Sequence, residues 1–203
     1  MLTRILVVAA AGIAAAVLAG PVTAAQPDLP VVEIIEQDMD AKGHALGPPR
    51  VVPASEHAKH RPDAADLRGE KVRGPAVAKR SARSLQSSGC RSVSIARVGR
   101  SLFGSVIYKY WQDKYWCWSY PKVTSASVGV HVGDVDPFWY YRGTVASQGW
   151  YFNWCCGSGT SGHYSLRQGK FENVIAGRLL SSEYPWVKIW ARGDGSYSYE
   201  TGK

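Results

Sequence analysis

Residues 26–88 of this 203-residue chain contain no Phe, Trp or Tyr, while seven of the eleven prolines fall there. So little apolar surface cannot offset the entropy of ordering the backbone, which excludes an independent core in that stretch. Cysteine is scarce too. There are four, none in a C-x-x-C pair, which argues against a structural zinc site. There is no G-x-S-x-G, no H-E-x-x-H, no phosphate-cradling loop, and no dinucleotide fingerprint set between a strand and a helix. Apolar runs are short. The longest, Ile5 to Leu18, falls below the ~20 residues of a spanning helix.

That run fits an export signal. Met1 to Arg4 is a short basic start, Gly20 and Pro21 end the apolar stretch, and Val22-Thr23-Ala24-Ala25 offers an A-x-A-like cleavage site. Residues 1–25 are therefore expected to be removed by a cut after Ala24 or Ala25. Pro21, not a lipid-accepting cysteine, follows Leu18-Ala19-Gly20, and the carboxyl end Glu200-Thr201-Gly202-Lys203 is polar. The expectation is a secreted, extracellular protein with no stable membrane anchor.

Residues 26–88 then read as a disordered arm, either linker or propeptide. Asp28, Glu33, Glu36, Asp38 and Asp40 make its start acidic, and Lys59, Arg61, Arg68, Lys71, Arg73, Lys79, Arg80 and Arg83 make its end basic. Val31 to Ile35 could form a short strand or helix on docking, but alone it is too short to persist. Lys79-Arg80 offers a trypsin-like protease a basic site. The plainer reading is a solvated linker that its charges keep extended. His57 and His60 lack a second pair of ligands, so no metal is expected there, and no cofactor anywhere.

All eight tryptophans and all four cysteines follow residue 89. Residues 89–203 carry 13 lysines and arginines against 7 aspartates and glutamates, a net +6 of the chain's +8. That length suffices for one domain with a core. The charge favours anionic partners without implying specific nucleic-acid recognition. The patterning is β. Val128, Val130 and Val132 alternate with polar residues, and Val187, Ile189 and Ala191 alternate with Trp186, Lys188, Trp190 and Arg192. Phe138 to Val145 and Tyr164 to Phe171 are rich in β-formers. Asp194-Gly195 reads as a hairpin turn and Gly157 to Gly162 as a loop. Leu102 to Trp111 fits either period and is read as strand. The fold class expected is all-β: an antiparallel sandwich, Ig-like or barrel-like, stapled by disulfides.

An even cysteine count in an exported chain implies two disulfides. A bond between the neighbours Cys155 and Cys156 would strain the peptide between them. Cys90 is then expected to pair with one of them and Cys117 with the other. An interior Cys117 would turn Trp116, Trp118 and Tyr120 outward on a one-faced sheet. A nucleophilic cysteine with His163 as base would need a thiol kept free outside the cell.

Tyr115-Trp116-Cys117-Trp118, with Gly104 and Trp111 before it and Lys122-Val123-Thr124 after, resembles small exported proteins of high-GC Gram-positive bacteria. Gln168-Gly169-Lys170-Phe171, Tyr184-Pro185-Trp186-Val187 and Gly193-Asp194-Gly195 extend the likeness over most of residues 90–198. The resemblance implies a secreted β-sandwich and carries over no catalytic residue. Where similar sequences often place a cysteine after the Gly-x-Phe strand, this chain has Glu172-Asn173.

The sharpest candidate site is Trp186, Lys188, Trp190 and Arg192, an aromatic and cationic row that Tyr140 and Arg142 would extend. Indole faces stack on sugars, and the cations would hold phosphate or carboxylate. The ordinary alternative puts both tryptophans in the core. Asp134, Asp136 and Glu172 are the candidate acids of a glycan hydrolase, although Asp before Pro in a Gly-rich stretch is common turn chemistry. Arg192-Gly193-Asp194 spells an adhesion tripeptide that the hairpin turn itself requires. The function expected is a non-catalytic binding module for an anionic cell-wall polymer or glycan. A propeptide-controlled effector, toxin-like or bacteriocin-like, is the alternative, and a hydrolase the third reading.

Overall fold

Two antiparallel sheets pack face to face in the computed structural model, which describes residues 31–63, 66, 88–153 and 162–203. Ala24, Ala25, Lys79, Arg80, Cys155 and Cys156 lie outside the described residues, as does most of the Gly157–Gly162 loop. Among the described residues no helix is long and apolar enough to cross a membrane.

The strands are β1 (Val31–Met39), β2 (Arg50–Val51), β3 (Ser88–Arg100), β4 (Val106–Ser119) and β5 (Lys122–Gly133), followed by β6 (Trp139–Phe152), β7 (Gly162–Ile175), β8 (Arg178–Glu183), β9 (Trp186–Arg192) and β10 (Tyr197–Gly202). The first sheet runs β2-β1-β3-β4-β5. The second runs β10-β9-β7-β6, with β8 also paired to β7. The ambiguous Leu102–Trp111 segment divides. Residues 101–105 make the turn between β3 and β4, and the strand begins at Val106.

Alternation along each strand makes the core. Val93 and Ile95 of β3, Tyr108, Tyr110, Trp116 and Trp118 of β4, Phe171 of β7, and Val187 and Ile189 of β9 meet between the sheets. Tyr108 stacks on Phe171 with ring centroids 4.1 Å apart. Val123 is buried, whereas Val130 and Val132 of β5 are only half-buried against the same core.

Three expectations need correction. First, the fold begins well before residue 89. β1 pairs with β3 from Val31↔Val98 to Met39↔Cys90, and Ile34 lies fully buried in the core. The segment is too short to stand alone, but here it gains a ready-made strand edge and one core face. Ala54–His60 continues it as a 3-10 segment, with His60 stacked on Tyr197 of β10 at 4.3 Å.

Second, Cys90 bonds to Cys117 rather than to Cys155 or Cys156. The β3–β4 register sets the two directly opposite each other. Third, that bond lies on the outer face of the first sheet, because Cys117 shares its side with Tyr115, whose hydroxyl is 3.0 Å from the Cys117 sulfur. Trp116 and Trp118 therefore point inward and are buried, and of that row only Tyr120 is exposed.

The final hairpin is as expected. Arg192 N donates to Ser196 O at 2.9 Å and Ser196 N to Asp194 Oδ1 at 2.9 Å. Gly195 turns the chain with φ +78°, and a Cβ there would overlap the Trp118 indole.

Candidate ligand-binding face

Val187, Ile189 and Ala191 of β9 are fully buried in the core, so Trp186, Lys188, Trp190 and Arg192 share the outer face of the second sheet. Tyr140 stands on that face too, opposite Glu172 of β7, with Arg142 beside it. All six expected ligand residues thus lie on one face. They are not all open.

Trp190 is 4% exposed and Arg192 3%. An indole on an outer face loses its contact with water if neighbouring strands supply rings, and here they do. The register aligns Trp150 of β6, Tyr164 of β7 and Trp190, with centroid spacings of 4.1 and 5.3 Å. Phe152 and Leu166 complete this second apolar cluster. Arg192 is covered by a different device. Its guanidinium pairs with the buried Asp66 carboxylate and donates to Ser198 Oγ at 3.0 Å, while Asp66 also accepts from Ser198 Oγ at 2.6 Å. A buried cation needs such a carboxylate to offset lost hydration. Trp190 and Arg192 are therefore structural, which corrects their expected role as ligand contacts. The same burial removes the adhesion tripeptide from view.

The open half keeps two aromatic–cation pairs. Lys188 Nζ lies 4.4 Å from the Trp186 ring centroid and 2.8 Å from Glu200. The Arg142 guanidinium lies 5.4 Å from the Tyr140 centroid, and its Nε donates to Glu172 at 2.7 Å. Trp186 is level with Gln168 and Tyr140 with Glu172 on β7. The two pairs flank β7 on opposite sides and are offset by four residues along it, roughly 13 Å in the strand direction. Lys170 also ion-pairs with Glu172, at 2.6 Å. Hydrogen bonds from Lys170 first and Arg142 second hold the Glu172 carboxyl below the usual range.

The hydrolase reading gains nothing from its acids. Asp134 ion-pairs with Lys109 at 3.0 Å, Asp136 accepts the Phe138 amide at 2.9 Å, and Glu172 is engaged as described. A glycosidase needs one carboxylic acid kept protonated, whereas Glu172 is pushed the other way. Among the described residues no group of three or more His, Cys, Asp and Glu could hold a metal ion. His57 Nε2 is instead 3.1 Å from Val52 O.

Two features escaped the sequence reading. A cleft of about 750 Å³ opens where β1, the 3-10 segment and the β9–β10 hairpin meet, lined by Glu36, Arg50, Lys59, His60, Arg61 and Arg91. Burial opposes ionisation of Glu36 at its wall. Hydrogen bonds from Tyr197 and Arg50 outweigh it and hold the carboxyl below the usual range. Within the core, Lys114 is fully buried, its Nζ donating to His163 O at 2.8 Å, Ser165 Oγ at 2.9 Å and Ile189 O at 3.2 Å. The same amine is 3.0 Å from His163 Nδ1. Only its even-numbered place beside Trp116 and Trp118 hinted at an inward lysine. Gly157, Gly159 and Gly162 also match the glycine spacing of a dinucleotide loop, but Gly162 opens a strand and not a helix. Comparison of the chain with protein-family models, with curated proteins and with solved structures gives no match.

Proposed function

We propose that this protein works outside the cell as a non-catalytic binding module for an anionic cell-wall polymer or glycan. Its ligand face is the open half of the second sheet. The observation that carries the reading is the pairing of Trp186 with Lys188 and of Tyr140 with Arg142 on that one face. Rings of this kind offer flat apolar area to sugars. Lys188, Arg142 and Lys170 each hold a carboxylate already, so a polyanion would take over contacts that Glu200 and Glu172 now make. Binding of that kind weakens with salt. Both the amino-terminal apolar run and the likeness to small exported proteins of high-GC Gram-positive bacteria support the compartment.

Co-sedimentation with purified cell-wall material across a salt series tests the proposal. Trp186→Ala and Tyr140→Ala are each expected to weaken binding about three- to tenfold with unfolding midpoints little changed. Trp190→Ala should lower the midpoint instead, since that ring packs on Tyr164. No binding at low salt by protein with its Cys90–Cys117 bond intact would end the reading.

A further inference from the structure

Large apolar side chains stand in water at one end of the sandwich. Leu102 and Phe103, at the tip of the β3–β4 turn, are 101% and 96% exposed. Phe138 in the β5–β6 loop is exposed, as are Ile175, Leu179 and Leu180 around the β7–β8 turn. The three turns are neighbours. Asp136 N donates to Ile107 O at 2.9 Å, joining the β5–β6 loop to the start of β4. Val174 N donates to Phe138 O at 2.9 Å, joining the same loop to the end of β7. Single exposed leucines are ordinary, but six large apolar residues gathered on adjoining turns are a surface with a use.

The shape and charge of this end select the occupant. Leu102 and Phe103 stand almost wholly clear of the protein at the tip of one turn and Leu179 and Leu180 are exposed at the start of β8, so a protein partner would need a surface shaped to both. The cleft of about 750 Å³ is lined mainly by charged side chains and borders the β9–β10 hairpin, so it offers no apolar socket to a second copy. A lipid interface is deformable and needs no matching shape. Arg100 and Arg178 are exposed beside the apolar tips, and Arg100 Nη1 donates to Gly104 O at 2.7 Å, which holds the guanidinium at the base of its turn. Of the nearby acids, Glu33 and Asp134 are both bound to Lys109, at 2.9 and 3.0 Å, and Asp136 accepts the Phe138 amide at 2.9 Å.

We infer that this end docks peripherally on an anionic bilayer, with Leu102, Phe103, Leu179 and Leu180 entering the headgroup–acyl boundary and Arg100 and Arg178 meeting lipid phosphates. No strand spans the bilayer in this arrangement. None of the residues placed at the bilayer belongs to the polymer-binding face proposed above, so the variants below leave that face intact and either proposal can fail without the other.

Sedimentation of the secreted chain with vesicles tests it, using phosphatidylcholine alone and equal parts of phosphatidylcholine and phosphatidylglycerol. The chain is expected to partition into the mixed vesicles more strongly than into phosphatidylcholine. L102S/F103S should lower partitioning at least about tenfold on both. These side chains touch little, so its thermal unfolding should not move. L179S/L180S, at the start of β8, should lower partitioning likewise, and Arg100→Gln with Arg178→Gln should erase the preference for the mixed vesicles. Equal sedimentation of the wild type and L102S/F103S would overturn the inference. So would a wild type that ignores both vesicles but forms a dimer which L102S/F103S dissociates.

Discussion

Lys114 shows how one residue can set the pH response of a fold. Its amine lies between the sheets among three oxygen acceptors and His163, and Arg167 is the further charge felt there. Burial, with Arg167 adding to it, pushes the amine well below the usual lysine range. Burial first, then Lys114 and Arg167, pulls His163 down to about 4. In the unfolded chain these groups titrate near ~10.4 and ~6.5. Both are bases with depressed folded values, so between the folded and unfolded values the unfolded chain holds more protons and stability rises with pH. Urea unfolding should show stability falling as pH drops from ~6.5 to about 4. It should show a second rise on the alkaline side, complete by ~10.4. His163→Gln is expected to flatten the acid limb and Lys114→Met the alkaline one; an alkaline limb unchanged in Lys114→Met would rule out the amine as its source. A second residue-scale expectation concerns Gly195, where a side chain meets both a left-handed backbone and the Trp118 indole. Gly195→Ala should cost about 2–3 kcal/mol in the same unfolding measurement.

At the scale of elements, β3 and β4 form the central hairpin of the first sheet, and the Cys90–Cys117 bond staples its open end across 27 residues of sequence. Replacing both cysteines by alanine is expected to cost about 2–4 kcal/mol, and a proteolytic map of the oxidised protein should recover the two peptides joined. The strands themselves were legible because period-two alternation is a local property: Val128 to Val132 and Val187 to Ala191 fall on the faces their spacing implies. Pairing is not local. Nothing between residues 90 and 117 announced that the two cysteines stand opposite each other, and assuming an interior disulfide turned Trp116 and Trp118 the wrong way. The candidate face was half legible for the same reason. Alternation put Trp186, Lys188, Trp190 and Arg192 on one side, but their burial depends on Tyr164 and Asp66, which other segments bring. β1 was the hardest to read, since a strand with one core face and no aromatics gains its stability from the edge it joins. Residues 89–203 alone should therefore be less soluble and unfold at lower urea than residues 31–203, because β3 would present an open edge.

On the scale of the whole molecule, the segment from β1 to Asp66 crosses from one sheet to the other. β1 closes the first sheet, Tyr197 of β10 donates to Glu36 at 2.6 Å, His60 stacks on Tyr197, and Asp66 neutralises Arg192 on the far face. Asp66→Asn would leave that guanidinium only the more distant Asp63 carboxylate, at 3.7 Å, and is expected to cost about 1–3 kcal/mol of stability. The same crossing bears on an activated effector. A protease acting at Lys79-Arg80 would divide the chain between β1 and β3, yet these strands share a nine-residue register and a buried Ile34. The amino-terminal piece is a strand of the sheet, and cutting alone is expected not to release it. A site-specific protease sequence in place of Lys79-Arg80 makes the test clean. The nicked protein should elute in native buffer at the volume of the intact one and separate into two pieces only in denaturant. Release of the β1 fragment in native buffer would show instead that the pairing is weak enough for the segment to serve as a propeptide.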